Sequence, residues 1–107
     1  LHLPERMVRR LPAVRARRPR WVLTAAAHSE GALQRAAGAG ADAVLVSPVF
    51  PSRSPSAGEP LGVGRLRRMC AASAAPVIAL GGVDARAASR LLRSGAAGLA
   101  VVNGWLD

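Results

Sequence analysis

Short apolar runs punctuate this chain at intervals that helical stretches fill. Trp21–Ala26 (WVLTAA), Asp42–Ser47 (DAVLVS), Pro76–Leu80 (PVIAL) and Gly98–Val102 (GLAVV) are apolar almost throughout. Continuous rather than alternating hydrophobicity predicts strands buried on both faces. Leu1–Leu3 reads as the last residues of a further strand. Between the runs, Glu30–Ala39 sets Ala32, Leu33, Ala36 and Ala37 along one helical side, and Gly38 and Gly40 stop it. Val63–Ala72 predicts a second helix. Asp84 is a suitable N-cap for a third over Ala85–Ser94, which Gly95 ends.

Strands alternating with helices predict an α/β fold with a parallel sheet under helices. Gly40-Ala41-Asp42-Ala43-Val44-Leu45-Val46 is weakly echoed by Gly95-Ala96-Ala97-Gly98-Leu99-Ala100-Val101. Repeated βα units of this kind fit a (β/α)₈ barrel, with a flavodoxin-like sheet as the alternative. Patterning leaves both open. The chain lacks an initiating Met and already reads as a strand end at Leu1, so a fragment is expected.

Composition narrows the picture. Half of the 107 residues are hydrophobic, but Trp21, Phe50 and Trp105 are the only aromatics, so Ala, Val and Leu must fill the interior. The net charge is +9 and every basic residue is Arg. Arg6, Arg9, Arg10, Arg15, Arg17, Arg18 and Arg20 concentrate it, and a solvated helix and linker is the expectation there. No interleaved aromatics accompany the charge, so no nucleic-acid partner is expected. No apolar stretch is long enough for a membrane helix, so no membrane partner is expected either. Cys70 is the single cysteine, which excludes an intrachain disulfide and suits the cytoplasm. It is expected to pack neutrally.

In both candidate folds the working groups lie at the C-terminal ends of strands. Those positions hold His2 and Glu5, then His28 and Ser29, then Ser47 with the stretch Pro48–Gly62, then Gly81-Gly82, then Asn103-Gly104. Gly81-Gly82 lies between a strand and a capped helix, where backbone N–H groups can approach an anion. Asn103-Gly104 after the last strand repeats the device. Ser52, Arg53 and Ser54 add hydroxyls and a positive charge in a stretch whose length favours function. Histidine changes charge near neutral pH, which makes His28 a candidate acid/base, although a lone histidine is more often structural. His2 and Ser47 are candidate pocket-lining residues. No metal-ligand spacing and no carboxylate cluster is visible, so no metal site is expected.

Together these residues resemble the C-terminal half of the thiamine phosphate synthase/TenI family. The matching blocks are LHLPE (1–5), TAAAHSE (24–30), GADAVLVSPVFPSRS (40–54), PLG (60–62), PVIALGGV (76–83) and GAAGLAVV (95–102), in family order over nearly the whole chain. The resemblance implies that residues 1–107 form part of a (β/α)₈ TIM barrel, from about strand four to strand eight.

Family members of the synthase type join a pyrimidine diphosphate to a thiazole phosphate with Mg²⁺ and release of pyrophosphate. TenI-type members aromatise the thiazole phosphate by proton transfer, without a metal. The resemblance places the phosphate near Gly81-Gly82 and the turn at Val102-Asn103, and the hydroxyls of Ser52 and Ser54 are expected to add to that site. It makes the histidine matching His28 the acid/base of the TenI branch. Synthases usually carry an acidic Mg²⁺ ligand where this chain has Arg6-Met7-Val8, and a Lys where it has Pro55. The expectation is therefore a TenI-like enzyme that binds a small phosphorylated thiazole and needs no cofactor. A Mg²⁺-dependent synthase is the alternative, and a non-catalytic phosphate-binding regulator a third. The fragment alone is expected to be inactive, and a homo-oligomer is compatible with the sequence.

Overall fold

A computed structural model describes residues 1–49, 60–80 and 94–100. Strands β1 (His2–Leu3), β2 (Thr24–Ala27), β3 (Ala43–Val46), β4 (Val77–Leu80) and β5 (Gly98–Ala100) form one sheet. They pair in sequence order, β1-β2-β3-β4-β5, and every pair is parallel. That order separates the two expected folds. A flavodoxin-like sheet requires a strand to step outside its predecessor. Here each crossover advances the sheet in the same direction, as in a barrel wall.

Helices α1 (Leu11–Arg17), α2 (Glu30–Gly38) and α3 (Val63–Ala72) connect the strands, and a 3₁₀ segment, Glu5–Arg10, precedes α1. The basic stretch is thus mostly helical, as expected. Ser29, which the sequence places in a loop, is the N-cap of α2, its Oγ accepting the Ala32 N–H at 3.1 Å. Past the end of α2 the chain reverses through Gly40 at φ +99°, a conformation that disfavours a Cβ. The candidate helix Ala85–Ser94 and its N-cap Asp84 lie outside the described residues, apart from Ser94.

The two sheet faces differ. Ala25, Ala27, Val44, Val46, Val77 and Ala79 are fully buried, joined by Ala32, Leu33 and Ala36 of α2 and Leu66 and Met69 of α3. Alternate residues Thr24, Ala26, Ala43, Leu45, Ile78 and Leu80 are only half-buried. Continuous apolar strands predict burial on both faces, so the second face is under-covered by the described residues. Cys70 packs at the edge of the core, where burial pushes its thiol pKa up. A Cβ on Gly95 would lie 3.1 Å from the Cβ of Cys70, so glycine permits that approach.

The second strand departs furthest from expectation. β2 is Thr24–Ala27, whereas the apolar run predicts Trp21–Ala26. Trp21 and Val22 are exposed, and the Leu23 N–H leaves the ladder for the Asp42 carboxylate at 2.7 Å. The Asp42 N–H returns to the Leu23 carbonyl at 2.7 Å. Arg15 Nη2 meets the same Asp42 Oδ2 at 2.7 Å, and its Nη1 donates to the Trp21 carbonyl at 2.7 Å. Arg18 lies over the Trp21 ring, 5.1 Å from its centroid. Arg15 is therefore a structural tie across the N-terminal edge of the sheet, within a charge run that reads as solvated.

The Leu23 N–H, and next the Arg15 guanidinium, hold the Asp42 carboxyl below its ordinary pKa of 3.8. A depressed folded-state pKa stabilises the fold above the unfolded value, and that contribution is lost as pH falls through the folded value. Asp42→Asn in the full-length protein is therefore expected to lower the thermal midpoint at neutral pH. The gap to wild type should close as pH drops below the normal carboxylate range. A gap independent of pH in calorimetry would contradict the charge role of Asp42.

Candidate functional site

Parallel pairing sends the C-terminal ends of all strands to one edge, and His28 and Ser47 meet there. His28 directly follows Ala27, the last residue of β2, and is exposed. Its Nδ1 lies 2.9 Å from the Ser47 carbonyl oxygen and 3.3 Å from the Ser47 Oγ. Ser47 follows the end of β3 and is itself held by donating its N–H to the Ala27 carbonyl at 3.2 Å. From the other side, the His28 backbone N–H donates to Glu5 Oε1 at 2.9 Å. Glu5 opens the 3₁₀ segment just past β1. Three neighbouring strand ends thus meet at one residue, His28, Glu5 at its backbone N–H and Ser47 at its ring.

Of the sequence candidates, the structure brings His28 and Ser47 together and leaves His2 apart. His2 pairs in register with Thr24, the first residue of β2, and its Nδ1 contacts Thr24 Oγ1 at 2.8 Å. His28 is a further four residues along the chain, roughly 13 Å at strand rise. His2 therefore sits lower on the half-covered sheet face, because β1 begins level with the start of β2. Ser52, Ser54, Gly81, Gly82, Val102 and Asn103 lie outside the described residues, as do Arg53, Pro55 and Gly104. Glu5 is the residue to which sequence reasoning gave no role. Its signal was its position immediately after a strand, next to Pro4.

The described residues fix where the undescribed candidates attach. The Val49 N–H donates to the Leu80 carbonyl at 3.0 Å, which sets the end of β4, just before Gly81, beside the end of β3. The stretch carrying Ser52 and Ser54 leaves and returns at one point. The Leu61 N–H donates to the Pro48 carbonyl at 2.7 Å and the Gly62 N–H to the Val49 carbonyl at 2.8 Å. Gly62 makes that return at φ +79°, a turn favouring glycine, and opens α3.

Among the described residues no three His, Cys, Asp or Glu side chains form a group that could hold a metal ion. Arg6, Met7 and the buried Val8 carry no side-chain oxygen for a hard cation, and Glu5 Oε1 accepts from the His28 N–H. No described helix is long and apolar enough to cross a membrane.

Comparison with known proteins agrees with this architecture. The profile of the TMP-TENI family, described as thiamine monophosphate synthase, matches residues 1–105. The bifunctional thiamine biosynthesis protein ThiM/ThiE of Symbiobacterium thermophilum is 38% identical over 100 residues, covering 90% of this chain and 21% of that protein. The thiamine-phosphate synthase of Methanoculleus marisnigri is 37% identical over 97 residues, covering 87% of this chain and 46% of the relative. This chain thus spans less than half the length of either relative. Among solved structures, thiamine phosphate pyrophosphorylase from Pyrococcus furiosus superposes with a TM-score of 0.74 at 27% identity, covering 85% of this chain and 43% of that one. The Methanoculleus relative bears the name of a synthase. The match of the family profile over residues 1–105 shows that the chain belongs to the thiamine monophosphate synthase/TenI family.

Proposed function

We propose that this chain is the phosphate-binding, C-terminal part of a thiamine-biosynthesis enzyme that isomerises a thiazole phosphate, with His28 as acid/base. The observation that carries the reading is the placement of the His28 ring. It is exposed at the strand-end rim, and its Nδ1 is engaged by Ser47. The opposite nitrogen, Nε2, is then the atom that faces a substrate. It would take a proton from one position of the thiazole ring system and return one at another, so that the net change is an isomerisation. No metal is required in this reading.

The phosphate would lie against Gly81, Gly82, Val102 and Asn103, with Ser52 and Ser54 closing over it. The position of the Leu80 carbonyl and the pinned stretch after Val49 support this, since both lead to the His28 rim. In a barrel numbered from the family, residues 1–107 would run from about strand four to strand eight. The partner would be a small phosphorylated thiazole, and the location cytoplasmic. The second reading is a Mg²⁺-dependent synthase joining hydroxymethylpyrimidine diphosphate to thiazole phosphate. The names of the relatives favour it, and its metal ligands would have to come from residues other than those described.

His28→Asn in the full-length protein should keep the fold and phosphate binding but lose ~10²–10⁴-fold in isomerisation rate. The wild-type rate should be unaffected by EDTA. An undiminished mutant rate, or a wild type that turns over only with Mg²⁺ and a pyrimidine diphosphate, would shift the assignment to the synthase. No turnover of either kind would leave a phosphate-binding regulator.

The half-covered sheet face yields a second test. Residues 1–107 in isolation expose Leu45, Ile78 and Leu80 in part and leave β1 and β5 as edge strands. Such a surface favours association. In sedimentation the isolated segment should self-associate or aggregate, and it should be inactive. A monomer that melts cooperatively and turns over substrate would contradict the half-barrel proposal.

A further inference from the structure

We propose that Glu5 is a positioning residue for His28, and that Glu5 and the Ser47 carbonyl together hold the imidazole with its proton on Nδ1 and its lone pair on Nε2. The role rests on the functional reading of His28 given above. It begins with the ladder between β1 and β2. The Thr24 N–H donates to the Leu1 carbonyl at 2.9 Å, and in a parallel pair alternate residues of one strand donate to the same neighbour. Residues 24, 26 and 28 share that phase, so the His28 N–H points towards where β1 would continue. β1 ends at Leu3, however, and the chain turns at Pro4 into the 3₁₀ segment. The Glu5 carboxylate accepts the His28 N–H in place of the missing main-chain carbonyl. The backbone of His28 is thereby held one residue beyond the sheet, where no strand pairing remains to hold it.

The ring is fixed from the opposite neighbour. A carbonyl oxygen has no proton to give, so at 2.9 Å from the Ser47 carbonyl the His28 Nδ1 must be the donor. In the neutral ring that leaves Nε2 unprotonated, and the tautomer is set by the bond the other nitrogen makes. The Ser47 Oγ, 3.3 Å from Nδ1, is a secondary acceptor for the same hydrogen. Glu5 fixes where the ring is attached, and Ser47 fixes which nitrogen is basic. If the backbone of His28 drifts, the ring loses the Ser47 carbonyl and the tautomers mix.

The test is long-range ¹H–¹⁵N spectroscopy of histidine-labelled full-length protein, above the pH at which the ring protonates, with His28→Asn used to assign the signals. In wild type, Nδ1 should resonate as the protonated nitrogen and Nε2 as the unprotonated one. Glu5→Ala should give mixed tautomers and lower kcat by about 10–100-fold with little change in KM, as expected for a misplaced catalytic ring. Glu5→Gln keeps an acceptor oxygen and should restore most of that loss together with the single tautomer. A wild-type ring protonated on Nε2 would overturn the proposal without any variant having to fold. So would a folded Glu5→Ala protein with an unchanged tautomer and unchanged kcat. The spectra judge the positioning role whatever reaction the protein catalyses, and the isomerisation assay alone judges the reaction.

Discussion

Parallel pairing in sequence order is the constraint on which everything else in this molecule depends. Once β1 to β5 lie side by side in register, their C-terminal ends share one edge whatever the intervening helices do. Residues far apart in sequence, Glu5, His28 and Ser47, then meet because each comes just after a strand. The strands have four residues or fewer, so the ladder stops abruptly and main-chain groups at the edge need other partners. At this edge those partners are a carboxylate and an imidazole. The chemistry of the rim thus follows from where the hydrogen-bond ladder runs out.

The opposite edge solves the same problem for stability. There the Asp42 carboxylate takes the Leu23 N–H, and Arg15 bonds to Asp42 and to the Trp21 carbonyl, with longer contacts to those of Pro19 and Gly40. Each side-chain group answers main-chain groups that the strands leave over. A barrel wall of this kind separates its tasks by end, with chemistry at the C-terminal rim and bracing at the N-terminal one. Loss of Arg15 or Asp42 should therefore act through stability, and loss of His28 through turnover.

Much of this was legible because apolar runs and glycine stops carry strong local signals. Asp42–Ser47 and Pro76–Leu80 bracket β3 and β4 within a residue at either end, and α3 matches its expectation in full. β2 was read too early because Trp21 and Val22 are apolar yet exposed, and hydropathy cannot see that Asp42 diverts the Leu23 N–H. Arg15 was hidden in a run of arginines whose usual place is solvent. His28 and Ser47 were legible as strand-end positions. His2 was read by the same rule but sits lower, since the length of a strand beginning at His2 cannot be judged from its own residues. The contact between Glu5 and His28 joins residues 23 apart and has no local signature. The likeness to a known family, rather than any pattern, narrowed the alternatives to one barrel and pointed to a phosphorylated ligand.

The central claim is that His28 presents a basic Nε2 to a thiazole phosphate at the strand-end rim. A crystal structure of the full-length protein with that ligand tests it most directly. Nε2 should lie within about 3–3.5 Å of the thiazole ring atoms that exchange the proton, with Nδ1 still on the Ser47 carbonyl. A ligand bound with its ring remote from His28, or with the imidazole turned so that Nδ1 faces the substrate, would contradict the account.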